Sequence, residues 1–195
     1  NPFPCLSVDS PGYSETSNGY CGGVVPFYTY MVIKGLERYN EFIFARECAI
    51  RHLYFILDTL HPDGDKMGDV WEAYLPTKEG CPVSDQLPGF PRKRFMPMVG
   101  LVTITLMIEN IIGLDISLPR KTVNWTMPSL EAMGIESLSL KRNLITILSN
   151  KNARGWEIRL ESEKLYYFTI EILDEQKKKT LPIPSGKCSM LIDKL

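Results

Sequence analysis

One apolar stretch divides this chain: residues 96–113, MPMVGLVTITLMIENIIG. As a helix, this stretch would present apolar residues on nearly every side. Glu109 and Asn110 are its only strongly polar members. A helix that is apolar all round is normally enclosed by other elements. We therefore predict a helix over 96–113 that needs neighbours, which a chain of 195 residues barely supplies.

The residues before this stretch predict two more helices. Apolar side chains recur at helical spacing over 24–39, where Pro26 lies in the first turn and its missing N–H costs nothing. A second apolar stripe covers 41–61 and ends before a Pro-Asp-Gly turn. The two segments predict a helical hairpin. Residues 62–94 carry no sustained period, so we predict a long irregular excursion of a kind that is usually functional.

After Gly113 the pattern changes to short alternating segments, which predict strands. These are residues 122–127, 135–140, 144–148, 156–160, 165–173 and 188–192. The run Lys177–Lys179 is typical of a solvated turn, and Pro182 and Pro184 break the last approach. We therefore predict an α+β chain: a helical segment over 1–114, then a small antiparallel β-sandwich domain over 115–195.

Composition excludes several classes of function. The net charge of −1 lacks the basic excess that nucleic acid or an anionic membrane demands. The apolar stretch is shorter than the roughly 20 residues that span a bilayer. The five cysteines are scattered, without a C-x-x-C pair or a histidine at ligand spacing. We expect no nucleic-acid or membrane partner, no metal and no cofactor.

The irregular excursion contains Trp71-Glu72-Ala73-Tyr74, a carboxylate between two aromatic residues. Sugar rings stack on such aromatic side chains through their C–H faces, and a fixed carboxylate can deprotonate the water that attacks an anomeric carbon. Glu72 is therefore our candidate general base, with Trp71 and Tyr74 as candidate substrate contacts. The alternative is that Trp71 and Tyr74 are buried loop anchors and Glu72 is a solvated acid.

Four weak motifs occur in one order along the chain. They are Pro-Phe-Pro followed by Ser-Val-Asp-x-Pro within residues 2–11, Gly-x-Val-x-Pro opening the helix within 22–39, Trp-Glu-Ala-Tyr-x-Pro at 71–76, and Gly-Leu followed by Ile-Glu-x-Ile-x-Gly-Leu within 100–114. In this order they resemble the C-terminal portion of (α/α)6-barrel glycoside hydrolases. The nearest set is the mannosylglycerate hydrolase-like group with its relatives in glycoside hydrolase family 63; the trehalases are more distant. The resemblance continues through residues 123–125 and 134–138 and covers almost the whole chain.

The resemblance implies an inverting glycosidase that acts on an α-glycoside, with Glu72 as its general base. Asp9 and Tyr20 fall in motifs that meet the sugar in such enzymes, so they join the candidate substrate contacts. The catalytic acid and most barrel helices precede the first residue of this chain in those enzymes. We therefore expect the isolated chain to be inactive, and to self-associate or depend on a missing upstream segment.

The sequence also departs from the family near the sugar. Tyr20-Cys21-Gly22 stands where relatives carry Trp-Arg-Gly, and Ser10 stands beside Asp9 in place of a second acid. Each change removes an aromatic or polar contact to the ring. The alternative function is therefore a non-catalytic remnant, or an accessory module that binds carbohydrate or another partner. Should the chain hydrolyse glycosides alone, the candidate acids are Asp9, Asp63 and Asp69.

Overall fold

A computed structural model describes residues 3–16, 20–60, 69–77, 80–81, 89–94, 96–183 and 185–191. The chain forms two compact units, Asn1–Ile111 and Ile112–Leu195. The first unit is helical, as the periodicity predicts. Its described helices are α1 (Pro26–Arg38), α2 (Phe42–Leu60) and α3 (Pro97–Leu106), and α3 continues as a π-helix over Met107–Ile112. None of these helices is long and apolar enough to cross a membrane.

Small residues on α2 let the three helices pack closely. The main helical core contains three buried small residues of α2: Ala45, Cys48 and Ala49. That core also contains residues from α1 and α3, namely Ile33, Val102 and Leu106. A buried histidine joins α2 to α3, because His52 Nε2 lies 3.3 Å from Thr103 Oγ1. Burial lowers the pKa of His52 to about 4, so the ring is neutral near pH 7.

The two polar residues of the apolar stretch lie in the π-helix, where both contact α1. Asn110 is buried, and its Nδ2 donates to Glu37 Oε1 on α1 over 2.6 Å. Glu109 pairs with Lys34, also on α1, at 2.9 Å. A π-helical turn changes the direction of its side chains relative to an α-helix, and such turns commonly mark constrained sites. Here the constraint is a polar contact that ties the end of the third helix to the first.

The described residues do not contain a complete (α/α)6 toroid, and the sequence predicts only the C-terminal helices of such a ring. Three helices with a π-helical extension make up the helical part of the described residues. They bury one stripe each and leave other apolar side chains in solvent. The α+β class is confirmed, and the described helices are too few to close a ring by themselves.

The described residues of the second unit form eight strands in two four-stranded sheets. Their bounds are β1 (Leu114–Ser117), β2 (Thr122–Met127), β3 (Met133–Ser139), β4 (Leu144–Asn152), β5 (Gly155–Ser162), β6 (Tyr166–Ile172), β7 (Lys177–Ile183) and β8 (Gly186–Leu191). The sheet orders are β1-β2-β6-β7 and β3-β4-β5-β8. Burial alternates along β2, β4 and β6, so each sheet has one apolar face, as in a β-sandwich.

The sandwich core is centred on Trp125 of β2. Its ring is fully buried and lies 6.4 Å from the ring of Phe168 on β6. Its indole N–H donates to the carbonyl of Ile112 over 2.7 Å, which satisfies the one polar atom of the side chain. The alternating pattern of the sequence therefore places the aromatic residues where periodicity predicts.

The strands differ from the prediction at three points. The sheets are antiparallel as expected, except that β2 pairs with β6 in parallel. The pattern missed β1, which is only four residues long. The run Lys177–Lys179 begins strand β7 instead of forming a turn. It does so because β7 is an edge strand, where Lys178 pairs with Glu171 at 2.7 Å and where Pro182 is tolerated without its N–H.

Gly113 provides a test of the packing at the start of the β unit. Its φ is +88°, and a Cβ there would lie 2.0 Å from the backbone oxygen of Thr126. Gly186 also has a positive φ, +115°, but a Cβ there meets open space. We expect Gly186→Ala to cost about 1–3 kcal/mol through backbone strain alone. Gly113→Ala should cost clearly more, because the clash is added.

Urea unfolding followed by circular dichroism measures both variants against the wild type. Equal losses of unfolding free energy in the two variants would show that the backbone around Gly113 relaxes, and would contradict the close approach to Thr126.

Candidate functional site

The loop that carries the Trp-Glu-Ala-Tyr motif is fastened to the helical unit at two points. Tyr74 and Val24 exchange backbone hydrogen bonds in both directions, each 2.9 Å long. The carbonyl of Val70 accepts from the N–H of Met96 over 2.8 Å, directly before α3. Because Val24 lies two residues before the start of α1, the loop is attached near the beginnings of two helices. The backbone around Glu72 is thereby held on both sides.

Tyr74 is an anchor of this loop. Its side chain is 0% exposed and lies in a second core cluster with Ile56 and Val99. Its hydroxyl accepts the N–H of Trp71 over 3.1 Å, and burial raises the pKa of the phenol to about 12. Phe55 meets the ring edge-on at 5.6 Å. The structure therefore gives Tyr74 the position that the anchor alternative describes, with no ring face open to a sugar.

Glu72 is clamped to a second segment of the excursion. Its N–H donates to the carbonyl of Arg92 over 3.2 Å, and its Oε2 accepts the N–H of Arg92 over 3.0 Å. The side chain is partly exposed. A carboxylate held through one oxygen by a backbone N–H has a defined orientation, while its other oxygen can meet a further donor. This is the geometry that a positioned proton acceptor needs.

Tyr20, in the loop before α1, is within electrostatic reach of this carboxylate. Its ring is 48% exposed and stacks on Phe90, with centroids 4.6 Å apart. Partial burial is the first cause that raises the pKa of Tyr20, and the negative charges of Tyr28, Glu72 and Cys5 raise it further. The charge of Glu72 is therefore felt at the phenol of Tyr20, although the two residues are far apart in the sequence.

An open groove of about 410 Å³ adjoins Tyr20. Its lining residues come from the start of the chain, from the loop before α1 and from α1 itself: Phe3, Pro4, Cys5, Tyr20, Tyr28 and Val32. The N–H of Cys5 donates to the carbonyl of Gly23 over 2.8 Å, which fixes the wall formed by the start of the chain. Apolar walls with two phenols at the rim suit a ligand that has both apolar and hydroxyl faces.

The remaining candidate residues lie apart from this arrangement or outside it. Asp9 is exposed in a turn, where its N–H lies 3.4 Å from Ser7 Oγ, and no described contact joins it to Glu72. Asp69 Oδ1 accepts the N–H of Val70 over 2.7 Å, a local turn contact. Asp63 falls outside the described residues. Within the described ranges, no group of three or more metal-binding side chains is close enough to hold an ion.

Sequence reasoning missed Phe90 and Arg92. Both lie in the excursion, where no periodicity marks a contact, and both reach the site through tertiary packing: Phe90 through Tyr20 and Arg92 through Glu72. Arg92 acts through its backbone, so its side-chain type carries no signal for this role.

Comparison with known proteins gives a family match over the β unit. Residues 113–195 match the family model for the trehalase C-terminal domain. An uncharacterized protein of Borreliella burgdorferi is 59% identical over 196 residues, which covers 100% of this chain and 41% of that protein. The chain therefore spans less than half the length of this relative. No solved structure matches the chain.

The match supports a trehalase-like glycoside hydrolase C-terminal domain over these residues. It bears on residues 113–195, which contain the β unit and not Glu72. The nearest family set expected from the sequence, the mannosylglycerate hydrolase-like group with family 63, is not distinguished by this match and stays a prediction.

The anchor role of Tyr74 predicts a specific loss of stability. Tyr74→Phe removes the hydroxyl that accepts the N–H of Trp71 and leaves that donor without its protein partner. We expect a loss of about 1–3 kcal/mol in unfolding free energy. Tyr54→Phe is the control, because Tyr54 is 64% exposed on α2.

Urea unfolding of both variants near pH 7 measures the difference. The raised pKa of Tyr74 adds a second readout: its contribution is complete below pH 10 and is lost as pH rises towards 12, and Tyr74→Phe should lack this loss. Equal stability of Tyr74→Phe and Tyr54→Phe would contradict the anchor role.

Proposed function

We propose that this chain is the C-terminal portion of an inverting glycoside hydrolase that acts on α-glycosides, with Glu72 as general base. The observation that carries the proposal is the carboxylate of Glu72, which the backbone of Arg92 clamps in place. An open groove lined by Tyr20, whose pKa the charge of Glu72 raises, supports it. The match of residues 113–195 to the trehalase C-terminal domain supports a carbohydrate substrate. We also propose that the protein belongs to the mannosylglycerate hydrolase-like group with its relatives in glycoside hydrolase family 63.

The proposed chemistry begins with a water held by Glu72. In an inverting hydrolase a carboxylate removes a proton from water as the water attacks the anomeric carbon. The N–H of Arg92 holds Oε2 over 3.0 Å, which leaves Oε1 to accept that proton. Orientation of this kind matters because general base catalysis is effective only when the acceptor reaches the proton that it removes.

Trp71 and Tyr20 are the proposed contacts to the sugar. The Trp71 ring is partly exposed, and its tilted contact with the Tyr74 ring at 5.6 Å supports it from below. The exposed phenol of Tyr20 can donate or accept hydrogen bonds at the groove rim. Tyr74 serves this site by holding Trp71 and Glu72 in place. Asp9 has no described contact with Glu72, so a ligand would meet Asp9 only if a further segment of the protein completed the site.

The proposed acid comes from outside this chain. Inversion requires a second carboxyl group on the opposite face of the sugar, about 6.5–9.5 Å from the base. The family motifs in this sequence supply only the base. The chain spans 41% of its Borreliella burgdorferi relative, so the remainder of such a protein is the proposed source of the acid. The isolated chain is accordingly expected to be inactive.

A second candidate function is a non-catalytic carbohydrate-binding module. The replacement of a Trp-Arg-Gly motif by Tyr20-Cys21-Gly22 favours it, because an indole and a guanidinium that would contact the ring are absent. The burial of Tyr74 removes another stacking surface. This module would bind a sugar at the groove without hydrolysing it.

A hybrid protein tests the proposal. In this hybrid, the present chain replaces the matching 41% of the Borreliella burgdorferi relative. We expect the hybrid to hydrolyse an α-glycoside such as trehalose, and Glu72→Gln to lower kcat by about 100-fold or more, the usual contribution of a general base. Product analysis by NMR should show inversion at the anomeric carbon.

Glu47→Gln is the matched control, because Glu47 is an exposed carboxylate on α2 away from the clamp. It should leave kcat unchanged. Full activity of Glu72→Gln would place the base elsewhere. Sugar binding without turnover, with an active relative as reference, would favour the non-catalytic module instead.

A further inference from the structure

A segment of three residues, Phe90-Pro91-Arg92, contacts two parts of the candidate site. At its first residue, the ring of Phe90 stacks on Tyr20, with the ring centroids 4.6 Å apart and the ring planes inclined at 31°. At its last residue, the carbonyl of Arg92 accepts the N–H of Glu72, and the N–H of Arg92 donates to Glu72 Oε2. We call these three residues the bridge segment. It joins a phenol at the groove rim to the candidate base.

The two contacts of the bridge segment depend on each other because they are close along the chain. One residue separates Phe90 from Arg92, and this residue, Pro91, is buried and has a φ angle fixed by its ring. A movement of the Phe90 ring is therefore passed to the backbone groups that clamp Glu72. Further along, the N–H of Met96 donates to the carbonyl of Val70 over 2.8 Å, which holds the chain again before α3.

Phe90 differs from Tyr20 in what it offers a ligand. Tyr20 is 48% exposed and lines the groove. Phe90 is half-buried and does not belong to the described lining of the groove. Its side chain also has no polar atom, so it neither binds a hydroxyl group nor moves a proton. Any effect of Phe90 on a reaction therefore passes through the residues that it contacts or adjoins.

We infer that Phe90 is a positioning residue, whose stack on Tyr20 holds the Arg92 backbone where it clamps Glu72. This inference rests on the proposed role of Glu72 as general base. It also adds a role for Tyr20: the phenol meets the sugar, and its ring supports the segment that orients the base. A sugar packed on Tyr20 therefore also restrains the support of Glu72.

Phe90→Leu in the hybrid protein tests this role, because leucine keeps an apolar side chain but lacks the ring. We expect kcat to fall by about 10-fold and KM to change less, since a displaced base slows the chemical step. Phe90→Tyr keeps the ring and should keep kcat within about twofold of the wild type. The matched control is Phe44→Leu, at a 46% exposed position on α2, which should leave both constants unchanged.

A Glu72→Gln background distinguishes positioning from general damage to the fold. Once the base is removed, Phe90→Leu has no base left to displace, so the double variant should have the kcat of Glu72→Gln within about twofold. A ring that only stabilises the fold would lower kcat by the same factor in both backgrounds. Equal factors would overturn the inference, and so would wild-type kcat in Phe90→Leu.

Amide hydrogen exchange of the isolated chain tests the same link without catalysis. The N–H of Arg92 is the donor to Glu72 Oε2, so Phe90→Leu should speed its exchange by about 10-fold or more, whereas Phe90→Tyr should not. Tyr20→Leu removes the other ring of the stack and should have the same effect as Phe90→Leu. The amide of Ile33, a buried residue of α1, should exchange at one rate in all variants, which shows that they are folded.

The two experiments separate this inference from the proposed function. Wild-type exchange at Arg92 in folded Phe90→Leu and Tyr20→Leu would overturn the inference. An inactive hybrid together with faster Arg92 exchange in both variants contradicts the proposed function alone. An active hybrid in which Phe90→Leu alters neither kcat nor Arg92 exchange contradicts the positioning role alone.

Discussion

The reciprocal backbone pairing of Val24 with Tyr74 is the constraint on which the candidate site depends. Two hydrogen bonds of 2.9 Å attach an irregular loop to Val24, two residues before α1, and the buried Tyr74 ring places the pairing next to a core cluster. Opening the pair would expose a large aromatic ring and leave backbone groups unsatisfied, which are both costly. Glu72 lies two residues from this anchor, so its orientation follows from it together with the clamp on Arg92.

The helical unit and the β unit differ in how they bury their apolar side chains. Each sheet of the β unit buries one face, with Trp125 and Phe168 fully enclosed, and the unit is satisfied by its own chain. The helices instead bury narrow stripes and leave apolar side chains such as Met31 and Leu101 in solvent. The family match falls on the β unit, whereas the features proposed for catalysis lie on the helical unit.

Periodicity predicted the elements that local sequence determines. The three helices and most strands follow from spacing because one side of each element is buried. The Lys177–Lys179 strand did not follow, since an edge position and the pairing of Lys178 with Glu171 outweigh the polar composition. The parallel contact of β2 with β6 is a matter of topology that alternation cannot reveal.

The site was only partly predictable for the same reason. The motif itself identified Glu72, Trp71 and Tyr74, but whether Tyr74 faces a sugar or a core depends on the tertiary position of Phe55 and Val99. Phe90 and Arg92 reach Tyr20 and Glu72 from an aperiodic segment, and Arg92 does so through backbone atoms. Residue type therefore identified the candidate carboxylate, Glu72. Only the tertiary packing showed which residues hold it in place.

Amide hydrogen exchange at Val24 and Tyr74 tests the central claim most directly. If the pairing anchors the loop, both N–H groups are protected to a similar extent and exchange together, far more slowly than the amides of an open loop. Exchange of the Tyr74 amide at the rate of an unstructured peptide, while the α1 amides remain protected, would contradict the claim that this pair holds Glu72 in place.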